Sequence, residues 1–220
     1  MSRIFYSGTR NASSWAFRAW LALREQNIDF EEIVVDIRRP QRFDNLRRIG
    51  EFSPPSAVPV LVDDDMVIFD SSAIMEYASE IGDGSLLPEN VQERARCRSF
   101  LSWQHSGLSG ICPKLSFERA FYPDKRPMTQ EEVADAARIF GAWEMELGRS
   151  GGPFLHGVLS LSDLAFVPTI LRICSHKPDM EKWPLTAAWI DRLLSRDSVK
   201  EWLDEAEKLP PIILEDGYLD

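Results

Sequence analysis

The residues that build disulfide frameworks and zinc sites are scarce in this chain: three cysteines and three histidines among 220 residues. Cys97, Cys112 and Cys174 are widely spaced and form no C-x-x-C pair. Neither a disulfide scaffold nor a tetrahedral metal site is expected from them; three reduced, mostly buried thiols are. Positive charge is short as well. Twenty-five Lys and Arg stand against 35 Asp and Glu, a formal net charge of −10, which argues against nucleic acid and anionic membranes as partners, because phosphate contacts need a basic face. No run approaches the ~20 apolar residues of a membrane span. The N-terminus does not read as a secretory leader either, since Met1-Ser2-Arg3 leads straight into a strand-like Ile4-Phe5-Tyr6. The expectation is a cytoplasmic protein with no metal, nucleic-acid or membrane partner.

What the chain does contain is enough apolar matter for a sizeable core: 44% hydrophobic residues, with 7 Trp and 12 Phe. The first 80 or so residues alternate strand-like and helix-like segments. Ile4 to Ser7 reads as a strand. From Ser14 to Gln26 the positions Ala16, Ala19, Trp20 and Leu23 fall at helical spacing, with Arg18 and Arg24 pointing elsewhere. Phe30 to Ile37 is rich in β-branched residues, a short helix is plausible over Gln41 to Ile49, and Val58 to Val62 with Met66 to Phe69 reads as a hairpin across Asp63-Asp64-Asp65. Pro59 cannot donate a ladder hydrogen bond and belongs at a strand start or edge. Asp70-Ser71 offers N-cap oxygens to a helix whose inner face is Ile74, Tyr77, Ala78 and Ile81. The order is βαβαββα.

Gly82-Asp83-Gly84-Ser85 is the best boundary. Beyond it strand signal vanishes, and helices are predicted over Val91 to Ser106, Gln130 to Gly148, Leu161 to Ser175, Thr186 to Ser195 and Ser198 to Lys208, with Thr129 and Glu132 forming a capping box. A mixed α/β unit followed by a run of helices implies two packed subdomains.

Three segments, in this order and spacing, resemble the glutathione transferase superfamily. Ser13-Ser14-Trp15-Ala16-Phe17-Arg18 is similar to its opening loop and helix. Val58-Pro59-Val60-Leu61 followed by Asp70-Ser71-Ser72-Ala73-Ile74 is similar to its glutathione-binding core, and Ser160-Leu161-Ser162-Asp163 after Gly157 to the buried capping motif of its helical domain. The resemblance covers nearly the whole chain. It implies a thioredoxin-like α/β domain over residues 1–81, a linker over 82–88 and an all-α domain over 89–220. It also implies glutathione as co-substrate, a small, hydrophobic electrophile as second substrate, and a homodimer.

Residue by residue, the resemblance assigns Val58 and the cis-forming Pro59 to the cysteinyl part of glutathione. Asp70 takes the γ-glutamyl ammonium and Ser71 its carboxylate, which a helix N-terminus favours. Asp70 stands where the family usually has Glu or Gln, one methylene longer. The lysine often found before Val-Pro is Ala57 here, so the glycyl carboxylate falls to the arginine island Arg38-Arg39-Pro40-Gln41-Arg42, with Arg39 and Arg42 as candidates. The residue facing the sulfur is Ser13, where tau-like enzymes carry Ser and omega-like ones Cys, with Ser14 and the zeta-like position Asn11 as runners-up. The electrophile is expected near Trp103, His105, Phe117 and Phe121. A transferase is the leading function. A non-catalytic binding or regulatory member of the fold and a glutathione-dependent isomerase are the alternatives, because fold does not fix function.

Overall fold

In the computed structural model, which describes residues 2–212, the βαβαββα order is realised. The end of the expected helical domain, 213–220, lies outside the described residues. Strand β1 (Arg3–Gly8) leads through helix α1 (Ser14–Glu25) to β2 (Glu31–Val35), then α2 (Arg42–Gly50), β3 (Val60–Asp63), β4 (Met66–Phe69) and α3 (Ser71–Ile81). The sheet order is β2-β1-β3-β4. β2 runs parallel to β1, which is why a helix must carry the chain between them. β3 and β4 are an antiparallel hairpin with Leu61 opposite Ile68. Its turn places Asp64 at φ 53, a left-handed conformation that Asp tolerates better than most residues.

The Val58–Pro59 bond is cis, and so is Arg39–Pro40, which the sequence did not announce. Ladder pairing begins at Val60, so Pro59 stands just outside it, where its missing N–H leaves no hydrogen bond unmade.

Helix α1 is buried almost all round: Ala16, Phe17, Ala19, Leu21, Ala22 and Leu23 are inaccessible. It lies against α3 on one side and against two helices of the helical unit, Leu161–Cys174 and Asp197–Ala206, on the other. For the same reason Arg18, expected to point away from the core, is itself 0% exposed.

The helical unit comprises α4 (Val91–Ser106), a short turn α5 (Ile111–Lys114), α6 (Gln130–Ser150), α7 (Leu161–Cys174), α8 (Pro184–Leu194) and α9 (Asp197–Ala206). Its core is aromatic. Trp143 meets Phe166 and Trp189 at ring separations of 5.0 Å, geometry that adds to area burial. Both predicted caps form. Thr129 accepts from the Glu132 N–H at 3.2 Å while Glu132 accepts from the Thr129 N–H at 2.8 Å. Asp163, wholly buried, accepts from the Ser160 N–H at 2.9 Å and the Ser160 hydroxyl at 2.5 Å. It also takes the Leu155 N–H at 3.0 Å and the Trp189 indole at 2.8 Å. Cys97 is buried, Cys174 half-buried, and neither is bonded to another cysteine; the side chain of Cys112 lies outside the described residues. Burial pushes the Cys174 thiol up to about 12, so it is protonated and inert at neutral pH. No helix among the described residues is long and apolar enough to cross a membrane.

Candidate active site

A cleft of about 200 Å³ opens where β3 begins and α3 starts, lined by Trp15, Val58, Pro59, Asp70, Ser71 and His105, with Pro55, Ala57 and Phe69 completing the wall. From this wall Val58 reaches a tight junction at the end of β1. A methyl group on Gly8 would fall 2.6 Å from Ser13 Cβ, 2.7 Å from Ser13 Oγ and 3.1 Å from Val58 Cγ2. Only a bare backbone lets the start of α1 and Val58 approach this strand together. Gly8→Ala is therefore expected to cost about 1–3 kcal/mol through forced repacking, measured as a lowered urea midpoint with unchanged slope.

The three candidates for the residue facing the sulfur part company in the structure. Ser13 caps α1, its Oγ accepting from the Ala16 N–H at 3.4 Å. That is its one side-chain hydrogen bond among the described residues, so the hydroxyl proton has no acceptor there. Ser13 is not itself a lining residue; it and Val58 both close on Gly8. Ser14 Oγ accepts from Arg172 Nη2 of α7 at 2.9 Å. Asn11 Nδ2 donates to the Pro210 carbonyl at 3.0 Å, near the end of the described chain. Neither runner-up lines the cleft.

At the other wall, Asp70 is the N-cap of α3, its Oδ1 accepting from the Ser72 N–H at 2.7 Å. Its backbone sits at φ 76, ψ 127, a region that costs a non-glycine residue about 1–3 kcal/mol and persists where the surroundings impose it, commonly at functional sites. Ser71 is buried and accepts two bonds from Arg18, from Nε at 3.0 Å and Nη2 at 2.7 Å. Because the guanidinium fills the lone pairs of Ser71 Oγ, the hydroxyl proton is left to donate outward. Arg18 also donates to Gln104 Oε1 and to Ser72 Oγ, the latter at 3.1 Å, and stacks under Trp15 at 4.5 Å. It is a buried charge held by many acceptors, and it ties α1, α3 and α4 together at the site.

The arginine island does not line the cleft. Arg39 lies over Phe43 at 5.8 Å, and Arg42 stands close enough to Glu118 to oppose the burial that raises that carboxyl. Arg38 is paired with Asp36, whose carboxyl it holds down at about 2. The aromatic wall expected for the electrophile is mostly core. Phe117 is inaccessible and packs on Phe17, Phe121 is partly buried against Phe117, and Trp103 is wedged between Phe100 and Phe166. Of that stretch His105 alone lines the cleft. Trp15, Gly8 and Gln104 were not assigned from sequence. Gly8 at a strand end ahead of the loop was the one local signal available.

The chemistry offered is that of a zwitterion holder: free helix N–H groups and a hydroxyl donor beside a carboxylate. Among the described residues no group of three or more His, Cys, Asp or Glu is placed to hold a metal ion.

The family model described as "Glutathione S-transferase, N-terminal domain" matches residues 12–81, which carry all but the first strand of the sheet and the whole cleft except His105. Over 191 residues, 83% of each chain, the protein is 30% identical to glutathione S-transferase 1 of Dianthus caryophyllus. Over 183 residues, 82% of each chain, it is 28% identical to a maleylacetoacetate isomerase of Mus musculus. Its fold is that of the epsilon-class glutathione S-transferase from the housefly, Musca domestica, with a TM-score of 0.76 over 94% of both chains at 22% identity. With a relative this similar along most of its length, and the cleft lying inside the matched domain, the chain belongs to the glutathione S-transferase family.

Proposed function

We propose that this protein is a glutathione transferase that binds glutathione in the cleft and activates its thiol for attack on a small, hydrophobic electrophile. The observation that carries the reading is the joint position of Val58, Asp70 and Ser71 on one cleft at the N-terminus of α3. There the γ-glutamyl carboxylate meets the Ser71 hydroxyl and the free N–H groups of α3, its ammonium meets Asp70, and the cysteinyl backbone runs beside Val58 and Pro59. Ser13, at the start of α1, supplies the hydroxyl for the sulfur. The glycyl carboxylate falls to Arg39 and Arg42, neither of which lines the cleft. Residues 1–81 are the binding unit, 82–88 the connection and 89–220 the helical unit that covers the second substrate.

Calorimetric titration with glutathione tests this. Ser71→Ala and Asp70→Ala should each weaken binding by about tenfold or more, since hydrogen bonds to charged groups are worth roughly 1.5–3 kcal/mol. Unchanged affinity in both variants removes the basis for the site. The maleylacetoacetate isomerase among the relatives favours one second reading, glutathione returned unchanged after a cis–trans isomerisation, which consumption of glutathione during turnover would exclude. A cytoplasmic homodimer acting in detoxification completes the proposal; a 25 kDa species in light scattering at micromolar concentration counts against the dimer.

A further inference from the structure

We propose that His105, from the helical unit, is a positioning residue of this site: its imidazole links the buried Arg18 guanidinium to Asp70 and aims the Asp70 carboxylate at the ligand's ammonium group. The inference rests on the reading of the cleft as a glutathione site and extends it to a residue 35 positions beyond Asp70 in the chain.

The direction of the bond between Arg18 and His105 follows from the donor inventory. Arg18 can only donate, so His105 Nδ1, 2.5 Å from Arg18 Nη2, must accept. An imidazole nitrogen has one lone pair to give, and the neutral ring therefore carries its proton on Nε2. Nε2 stands 3.4 Å from Asp70 Oδ2, a close polar contact. Ser72 Oγ, 3.2 Å from Nδ1 and 3.1 Å from Arg18 Nη2, accepts from the same guanidinium. The ring is held edge-on by Trp15, with centroids 5.2 Å apart and planes at 66°, and Trp15 is in turn stacked on Arg18.

The result is a chain of polar contacts from Arg18 through His105 to Asp70. The two oxygens of Asp70 then have separate duties. Oδ1 caps α3 through the Ser72 N–H, and Oδ2 is the oxygen beside His105. A side chain as short as Asp cannot search for its ligand as Glu can, so the partner that sets its torsion decides how well it meets an ammonium group. His105 thus makes binding of one end of the ligand depend on how α4 is seated against α1 and α3.

The test pairs three variants with two ligands: glutathione, and the same tripeptide lacking the α-amino group. His105→Asn keeps an acceptor for Arg18 but is too short to reach Asp70. His105→Phe keeps the ring against Trp15 and removes both polar contacts. His105→Gln retains one acceptor and one donor at similar reach. Calorimetry should show glutathione bound about tenfold more weakly by the Asn and Phe variants and within about threefold of wild type by Gln, the conservative rescue. The deaminated tripeptide should be bound equally by all four proteins, and melting curves establish that each is folded at the titration temperature. Glutathione affinity unchanged in both Asn and Phe overturns the proposal, as does an equal loss for both ligands, which marks a merely structural role. Wild type that binds neither ligand overturns the glutathione reading itself, whereas wild type that binds both with unaffected variants overturns only the part given to His105.

Discussion

Replacing Asp163 with alanine is expected to lower folding stability by about 3–5 kcal/mol, among the largest effects a single substitution can have here. The carboxylate is fully buried and takes four donors: the backbone N–H groups of Leu155 and Ser160, the Ser160 hydroxyl and the Trp189 indole. Alanine strands the first two and the indole in the core. Each such group costs about 1–3 kcal/mol, and partial collapse of the site recovers part of the sum. The Ser160 hydroxyl loses less, having Ser162 Oγ at 3.0 Å as a second partner. Urea titration of wild type and Asp163→Ala measures the difference; equal midpoints would rule out the buried cap.

The same residue predicts a pH dependence. Burial pushes its carboxyl up to about 6, against hydrogen bonds that favour the anion. The folded protein therefore holds a proton there that the unfolded chain, with a carboxyl near 4, gives up. This contribution to stability is complete below about pH 4 and is lost as pH rises through about 6. Two units correspond to at most about 3 kcal/mol. Asp163→Asn, which cannot titrate, should show a flatter stability profile between pH 4 and 6. Glu132 runs the other way, with the Arg126 guanidinium holding its carboxyl down at about 2, so its contribution disappears only in stronger acid.

How much could be read from sequence depended on how local the physics was. Asp70-Ser71 ahead of an apolar run, Thr129 three residues before Glu132 and Ser160 three before Asp163 each satisfy backbone groups within one turn, and all three caps stand where the spacing put them. The chain turn at Asp64 and the position of Pro59 are equally local. The site's second half was not legible, because its contacts span the chain: Arg18 reaches Gln104, 86 residues on, and His105, 87 on. Periodicity assigned Arg18 to an outward face because α1 was read as having one buried side, whereas the helical unit covers the other. Trp103 and Phe117 illustrate the converse error, since an aromatic cluster marks a core as readily as a substrate wall. The stretch between α4 and α6 carries Gly107, Gly110 and Pro113, which interrupt any helical period, so its short turns left no pattern to find.

Ser13→Ala is expected to lower turnover about 10²-fold, the scale of losing one donor to a developed anion, while leaving glutathione affinity within about threefold. A free thiol has a pKa of about 8.5, so only a few per cent is thiolate at pH 7. A donor that bonds the charged sulfur better than the neutral one lowers that pKa, each unit corresponding to about 1.4 kcal/mol. Ser13 has its hydroxyl proton without an acceptor among the described residues, and it stands at the N-terminus of α1, where the helix's partial positive charge favours the anion as well. The cap bond it makes is long, 3.4 Å, so the substitution should cost stability only at the low end of the ~0.5–2 kcal/mol usual for N-caps, and turnover can be compared on folded protein. Thiolate absorbance of bound glutathione against pH, for wild type and for alanine at positions 11, 13 and 14, separates the candidates. The Ser13 variant should shift the transition upward. Asn11→Ala and Ser14→Ala should leave it in place, since those side chains are engaged by Pro210 and Arg172. A shift in either of them with none in Ser13→Ala would move the sulfur to the far side of α1's first turn. No shift in any of the three would leave Ser13 as the cap of α1 and nothing more.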